Sequence, residues 1–215
     1  MALGSTAAFA MPLAGLLAAS PAKAQTALAP DAALDQLMAG NARFVAGRLT
    51  SFDADLNILR QQTVAKQEPF AAVLSCADSR VPVEFLFDQS IGHVFVARIA
   101  GNLCTPEIIA SLEYGAAVLG TAAIVVLGHS GCGAVKATIE AKSVPGQISA
   151  LYAPIRPAVG RAGTDLEAAI RANAQIQAEL LRTASPVVAG LVRQGKLTVV
   201  AAYYDLGTGK VSLLS

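Results

Sequence analysis

The sequence predicts an α/β domain built on a parallel β-sheet, and three observations carry that prediction. Two short apolar runs, Phe70-Ala71-Ala72-Val73-Leu74 and Ala122-Ala123-Ile124-Val125-Val126-Leu127, are bounded by Gly and small polar residues, the pattern of strands buried on both faces. Between them Thr105-Pro106-Glu107 opens a helix, so the strand–helix–strand spacing suits a right-handed parallel crossover. The chain has 215 residues, 54% hydrophobic and 14% charged, enough for one well-buried domain and too apolar for a disordered segment.

Residues 1–24 read as a secretory signal, which implies a secreted or periplasmic protein. The apolar stretch Ala7 to Ala19 has the length of a signal core and is too short for a stable bilayer span, and Ala22-Lys23-Ala24 fits a small-x-small cleavage site before Gln25. No Lys or Arg precedes that stretch, so a basic region upstream or a plain tail are the competing readings. Residues 25–66 form an N-terminal helical segment. Asp31 to Val45 carries Leu34, Leu37, Met38, Phe44 and Val45 on one broad face with Asp31 as N-cap, and a weaker helix runs from about Asp53 to Lys66.

The α/β domain occupies residues 67–215, with no internal repeat. After the strand from Phe70 to Ser75 comes a loop, then the β-branched and aromatic run Val94-Phe95-Val96-Ala97. Thr105 caps the next helix, whose apolar face is Ile108, Ile109, Leu112, Ala116 and Leu119, and Gly120 stops it. A short helix follows Gly131 to about Lys142. Residues 143–163 hold three prolines and three glycines and read as a loop with one helical turn. Thr164 and Glu167 suggest a capping box for a helix to about Arg182, Ser185-Pro186 opens another that Gly195 stops, and Leu197 to Tyr203 is a strand. Gly207-Thr208-Gly209 turns into a last strand, Lys210 to Leu214.

A formal net charge of +1 and no Lys/Arg-rich run argue against a nucleic-acid partner. Three cysteines are too few for a disulfide framework. The plain reading is buried free thiols, with a Cys76–Cys132 disulfide as a variant. The chemical reading starts from where the two apolar runs end. The first delivers Ser75-Cys76-Ala77-Asp78-Ser79-Arg80 and the second Gly128-His129-Ser130-Gly131-Cys132-Gly133, both at strand carboxyl ends, the edge where open α/β sheets bind ligands. Two thiols and an imidazole are a zinc ligand set, and three protein ligands leave the fourth position open, the catalytic arrangement. Cys76, His129 and Cys132 are therefore the candidate ligands of one Zn2+ per chain. Alternation along an extended chain would point Cys76, Asp78 and Arg80 one way, so Asp78 and Arg80 can pair beside the metal as a catalytic dyad; a structural ion pair is the alternative. Cys104 reads as a buried small hydrophobe, His93 as a solvated turn residue, and Tyr203 and Tyr204 as strand packing.

Cys76-x-Asp78-x-Arg80 followed about fifty residues later by His129-x-x-Cys132 resembles the two signatures of the β-class carbonic anhydrases. Gly40-Asn41-Ala42-Arg43-Phe44-Val45, the Phe95 to Asn102 segment, Ser111-Leu112-Glu113-Tyr114 and the closing strand pair extend the resemblance from about Ala33 to the C-terminus; Ile99 departs from it where the family often carries an asparagine. The resemblance implies a single α/β domain with a central mainly parallel sheet flanked by helices, an N-terminal helical arm that embraces a neighbour, and a homodimer or tetramer. It implies reversible zinc-dependent hydration of carbon dioxide to bicarbonate and a proton, by hydroxide formed at the metal. It also allows Asp78 to join Cys76, His129 and Cys132 on zinc in a closed state from which water is displaced. Competing readings are hydrolysis of another small linear heterocumulene such as carbon disulfide, a non-catalytic zinc protein, and a thiol redox protein, against which the absence of Cys-x-x-Cys counts.

Overall fold

The computed structural model describes residues 26–51, 56–64 and 66–215; the expected signal segment lies outside them. Five strands form one sheet: β1 (Ala71–Ser75), β2 (Val94–Arg98), β3 (Ala123–His129), β4 (Thr198–Tyr204) and β5 (Val211–Leu214). Their order is β2-β1-β3-β4-β5, parallel throughout except for the antiparallel β4–β5 pair. Every residue of β1 and β3 is buried, as their unbroken apolar runs require.

The two-residue period of the strands sorts the core. Ala71, Val73, Ala123, Val125, Leu127, Ala202 and Tyr204 face one side, and Ala72, Leu74, Ile124, Val126, Val199 and Ala201 face the other. The first side is covered by α1 (Pro30–Val45) and the short α3 (Val83–Leu86). The second is covered by α4 (Pro106–Glu113), α7 (Leu166–Ala184) and α8 (Pro186–Arg193). A segment α2 (Leu56–Thr63) precedes β1, α5 (Gly133–Glu140) follows β3, and α6 (Tyr152–Ala162) packs on α7. The chain steps from β1 outward to β2, then returns to place β3 on the other flank of β1. The carboxyl ends of β1 and β3 thus flank the topological switch point, the place where open α/β sheets bind ligands.

Several starts and stops differ from expectation. Helix α1 is not capped by Asp31: Ala29 occupies the cap, Pro30 takes the first turn, and Asp31 sits within that turn, where its charge faces the helix dipole. Helix α7 begins one residue later than a Thr164 cap would place it, because Asp165 Oδ1 accepts the Ala168 amide at 3.0 Å; Glu167 instead pairs with Arg171. Thr105 and Ser185 do cap α4 and α8. Helix α4 runs on as a π-helical turn, Tyr114–Val118. The expected loop at 143–163 is mostly helix: a 3-10 turn, Ile148–Leu151, leads into α6, which carries Pro157 in its interior. The burial of Tyr152, Ile155 and Ala158 along one face outweighs the proline's missing N–H.

Helix α1 packs on its own domain: Ala33 and Leu37 are buried, and Leu34, Met38 and Phe44 are partly buried against the same core cluster. Asn41 pins it, donating from Nδ2 to the carbonyls of Leu86 (3.1 Å) and Gly209 (2.9 Å) and accepting the Val211 amide on Oδ1 (2.8 Å). Gly40 is where the helix backbone comes closest, since a Cβ there would lie 1.8 Å from the Phe87 carbonyl oxygen. Below it the buried Asp88 carboxylate accepts from Arg43 Nε, from the amides of Thr50 and Ser51 and from both their hydroxyls. Burial opposes its charge, but these donors outweigh it and hold the carboxyl well below the usual range.

Candidate metal centre

Strand β1 ends at Ser75 and strand β3 at His129, and the residues just beyond converge. The Sγ atoms of Cys76 and Cys132 and a ring nitrogen of His129 lie within 4.8 Å of one another, all three residues buried. The ring orientation of His129 follows from its backbone neighbour. Nδ1 lies 3.0 Å from the Ser130 carbonyl oxygen, which places the proton on Nδ1 and leaves Nε2 with a free lone pair. That Nε2 is fully buried and has no hydrogen-bond partner. An orphaned buried acceptor beside two thiols is costly unless a cation fills the space. The donor set fits zinc, and no other such group of ligands occurs among the described residues.

The loop carrying His129 and Cys132 is fixed by β4 and the turn beyond it. The Ser130 amide donates to the Tyr204 carbonyl (2.9 Å), and Ser130 Oγ accepts the Leu206 amide (2.8 Å). Cys132 is the N-cap of α5. The Cys76 thiol is pushed down, chiefly by a hydrogen bond from Cys132, with the backbone amides of Gly101 and Asp78 adding to it; Cys132 is pushed up by the same sharing and by burial. The sharing therefore favours thiolate, the ligating form, at Cys76 and disfavours it at Cys132.

Asp78 and Arg80 do not reach each other by strand alternation. Residues 76–80 leave the strand, and the Val81 amide closes a turn onto the Asp78 carbonyl at 3.1 Å. Within that turn Asp78 Oδ1 accepts from the Arg80 amide and Nε, each at 2.9 Å, while Oδ2 accepts from a terminal guanidinium nitrogen at 2.8 Å. The Arg80 side chain accordingly holds the Asp78 carboxyl well below the usual range. Asp78 Oδ2 lies 3.8 Å from His129 Nε2, so the ionised carboxylate stands at the mouth of the donor triangle. Arg80 also reaches the Gly131 carbonyl at 3.4 Å, tying the first motif to the second.

Three further contributors are not singled out by the sequence, although Arg98 and Gly101 lie in the Phe95 to Asn102 segment that resembles the family. Arg98, at the end of β2, donates to the carbonyls of Cys76 and Asp78 and braces the ligand loop. The Gly101 amide donates to Cys76 Sγ at 3.3 Å, and Asn173 holds the Gly101 carbonyl at 2.8 Å. Cys104 stands apart: its buried thiol donates to the Gln177 carbonyl at 3.2 Å, and burial pushes it up to about 12. His93 is exposed, and Tyr203 and Tyr204 are buried in β4, with Arg171 over the Tyr203 ring at 3.9 Å.

The carbonic anhydrase family model matches residues 71–211, which spans β1 to β4, the first residue of β5 and both motifs. The chain belongs to the β-class carbonic anhydrase family. A carbonic anhydrase of Mycolicibacterium smegmatis is 37% identical over 197 residues, covering 86% of this chain and 94% of that one. The structure of Coccomyxa β-carbonic anhydrase with acetazolamide superposes with a TM-score of 0.62 at 26% identity, covering 84% of this chain and 81% of that one. One of two tetrameric β-carbonic anhydrases from Sordaria macrospora shares the fold of this family member, with a TM-score of 0.66 at 22% identity over 74% of this chain and 91% of that one.

Proposed function

We propose that this β-class family member catalyses the reversible hydration of carbon dioxide to bicarbonate and a proton, with zinc held by Cys76, His129 and Cys132. The observation that carries the reading is the buried, unpartnered His129 Nε2 facing two thiol sulfurs beneath an ionised Asp78. Zinc bound there supplies a Lewis acid that makes water a nucleophile near neutral pH.

The chain's own residues do the rest. Ionised Asp78 is an acceptor only, so a water at the mouth of the site donates to it and turns a lone pair toward the incoming carbon. Arg80 keeps Asp78 ionised and fixed in direction through two parallel contacts. Both Asp78 oxygens are engaged by Arg80, so Cys76, His129 and Cys132 would hold the zinc and Asp78 would stay on Arg80, facing the water.

Assembly as a homodimer or a multiple of it belongs to the same proposal. Strand β2 is an edge of the sheet, Phe95 on it is half-buried against Tyr114, and Tyr114 and Val118 beside it are exposed. An unpaired apolar edge of this kind calls for a partner. No helix among the described residues is long and apolar enough to cross a membrane. Export to the periplasm or beyond remains the reading of residues 1–24.

The deciding experiment measures zinc content and stopped-flow carbon dioxide hydration on the same purified protein, with its solution mass. About one zinc per chain, active hydration and a dimeric or larger mass are expected. A zinc-replete protein that does not hydrate carbon dioxide would overturn the activity, and an active monomer would overturn the assembly.

A further inference from the structure

The zinc ligand Cys76 receives a hydrogen bond from a residue with no side chain to hold it in place. Gly101 donates its amide to Cys76 Sγ at 3.3 Å from the third position of a turn, closed by the Asn102 amide on the Ile99 carbonyl at 2.9 Å. Its φ of +79° is a conformation that glycine adopts freely and other residues do not. Something outside the turn must therefore fix the peptide that points at the sulfur.

That role falls to helix α7. Asn173 is buried, 1% exposed, and donates from Nδ2 to the Gly101 carbonyl at 2.8 Å across 72 residues of chain. Its Oδ1 accepts from Gln177 Nε2 at 3.5 Å, one helical turn on. Gln177 Oε1 in turn accepts the Cys104 amide at 2.8 Å, and Gln177 Nε2 also reaches the Pro154 carbonyl at 3.3 Å. A chain of buried amides thus clamps the 99–104 turn at two points, Gly101 and Cys104, against one rigid helix. Each polar group of Asn173 and Gln177 is used, so the network is satisfied and directional.

We propose that Asn173 is a positioning residue for the metal site: by holding the Gly101 carbonyl it aims the Gly101 amide at the Cys76 sulfur and sets how strongly that thiolate donates to zinc. The proposal rests on zinc ligation by Cys76. An N–H bonded to a thiolate withdraws electron density from sulfur, which leaves more positive charge on the metal. Without Asn173 the turn is free to rotate, the N–H drifts from the sulfur, and Cys76 becomes the stronger donor.

Cobalt(II) substituted for zinc in the intact protein reports this directly through its thiolate-to-cobalt charge-transfer band. Asn173→Leu keeps the volume and removes both hydrogen bonds; Asn173→Ala covers the case in which leucine does not fold. Ala174→Gly is the control, since Ala174 lies next in the helix but faces the sheet. The band is expected to move to longer wavelength in the Asn173 variants and to stay at the wild-type position in Ala174→Gly, even at equal loss of thermal stability. Hydration by the zinc-replete Asn173 variants is expected to fall about tenfold, the lower end for a residue that orients a ligand indirectly. A folded, cobalt-loaded Asn173 variant with an unshifted band would overturn the assignment and leave Asn173 as a structural residue. A wild-type protein with no such band would overturn the ligand set itself, and with it this proposal.

Discussion

His129 Nδ1 is committed to the carbonyl of Ser130, its neighbour in the chain, and that single contact decides what the imidazole can do. With one nitrogen donating to backbone, the other is left as a lone pair in a space lined by sulfur. The ligand geometry is thus set by a local turn that β4 holds in place through Ser130.

Removing one sulfur is expected to remove the metal. Cys132→Ala should lose most zinc and all hydration, whereas Cys104→Ser, which alters a thiol bonded only to the Gln177 carbonyl, should keep both. Atomic absorption on the purified variants measures it. Full zinc occupancy in Cys132→Ala would contradict the ligand assignment.

Asp78→Asn keeps the shape of the side chain and loses the charge that accepts the water's hydrogen bond and orients it. Zinc should stay bound while hydration drops by roughly a hundredfold, the usual loss for one positioned acid–base group. In the wild type, two thiolates neutralise the dication, so the rate should climb between about pH 7 and 9. The low-pH fall is not Asp78 protonating, since Arg80 holds that carboxyl well below the usual range. Stopped-flow traces from pH 6 to 9.5 test both statements, and a flat wild-type profile would remove the charge argument.

Asp88 ties α1 to the domain, and its folded-state acidity is depressed. A depressed carboxylate contributes stability that is complete above its unfolded pKa of about 4 and is lost as pH falls toward the folded value. The urea midpoint of the wild type should therefore fall steeply below about pH 4, and that of Asp88→Asn less steeply. At neutral pH, Asp88→Ala should cost about 2 kcal/mol, as for buried hydrogen-bond donors left without their charged acceptor. Equal acid slopes for wild type and Asp88→Asn would show that the carboxylate is not the source.

Gly40→Ala adds a single methyl 1.8 Å from the Phe87 carbonyl oxygen, where backbone cannot yield cheaply. The expected loss is about 2 kcal/mol or more, with α1 displaced from the sheet. Urea unfolding followed by circular dichroism measures the loss, and amide exchange in α1 locates it. Wild-type stability would mean that the helix does not sit where Asn41 and Gly40 place it.

Export is tested at the new N-terminus. When the chain is expressed with access to a secretion pathway, Edman sequencing of the mature protein should begin at Gln25. A retained Met1 in the exported fraction would rule out cleavage after Ala24.

The candidate metal ligands and the Asp78–Arg80 pair were legible because their chemistry is carried by rare side chains placed directly after buried strands. Cys76, His129 and Cys132 could be read from residue type and position alone. The roles of Arg98, Gly101 and Asn173 could not, although the first two lie in the Phe95 to Asn102 segment: one braces carbonyls, one acts through its backbone, and one sits far along the chain on an otherwise ordinary helix. Helix α6 was hidden by Pro154, Pro157 and Gly160, whose local preferences lost to the burial of Tyr152 and Ile155. The α1 face was plainly apolar, but an apolar stripe does not say what covers it. The answer lay in Asn41, whose three partners come from two distant parts of the chain.

Those partners also impose an order in time. Asn41 reaches residues 209 and 211, separated from it by 168 and 170 positions, so α1 cannot be pinned until almost the whole polypeptide exists. At ribosomal speeds of roughly 5–20 residues per second, α1 waits on the order of ten to thirty seconds with its apolar stripe uncovered. The first helix among the described residues is therefore among the last to be locked. During that interval Leu34, Leu37 and Phe44 are an open surface for a chaperone, a translocation factor or another nascent chain.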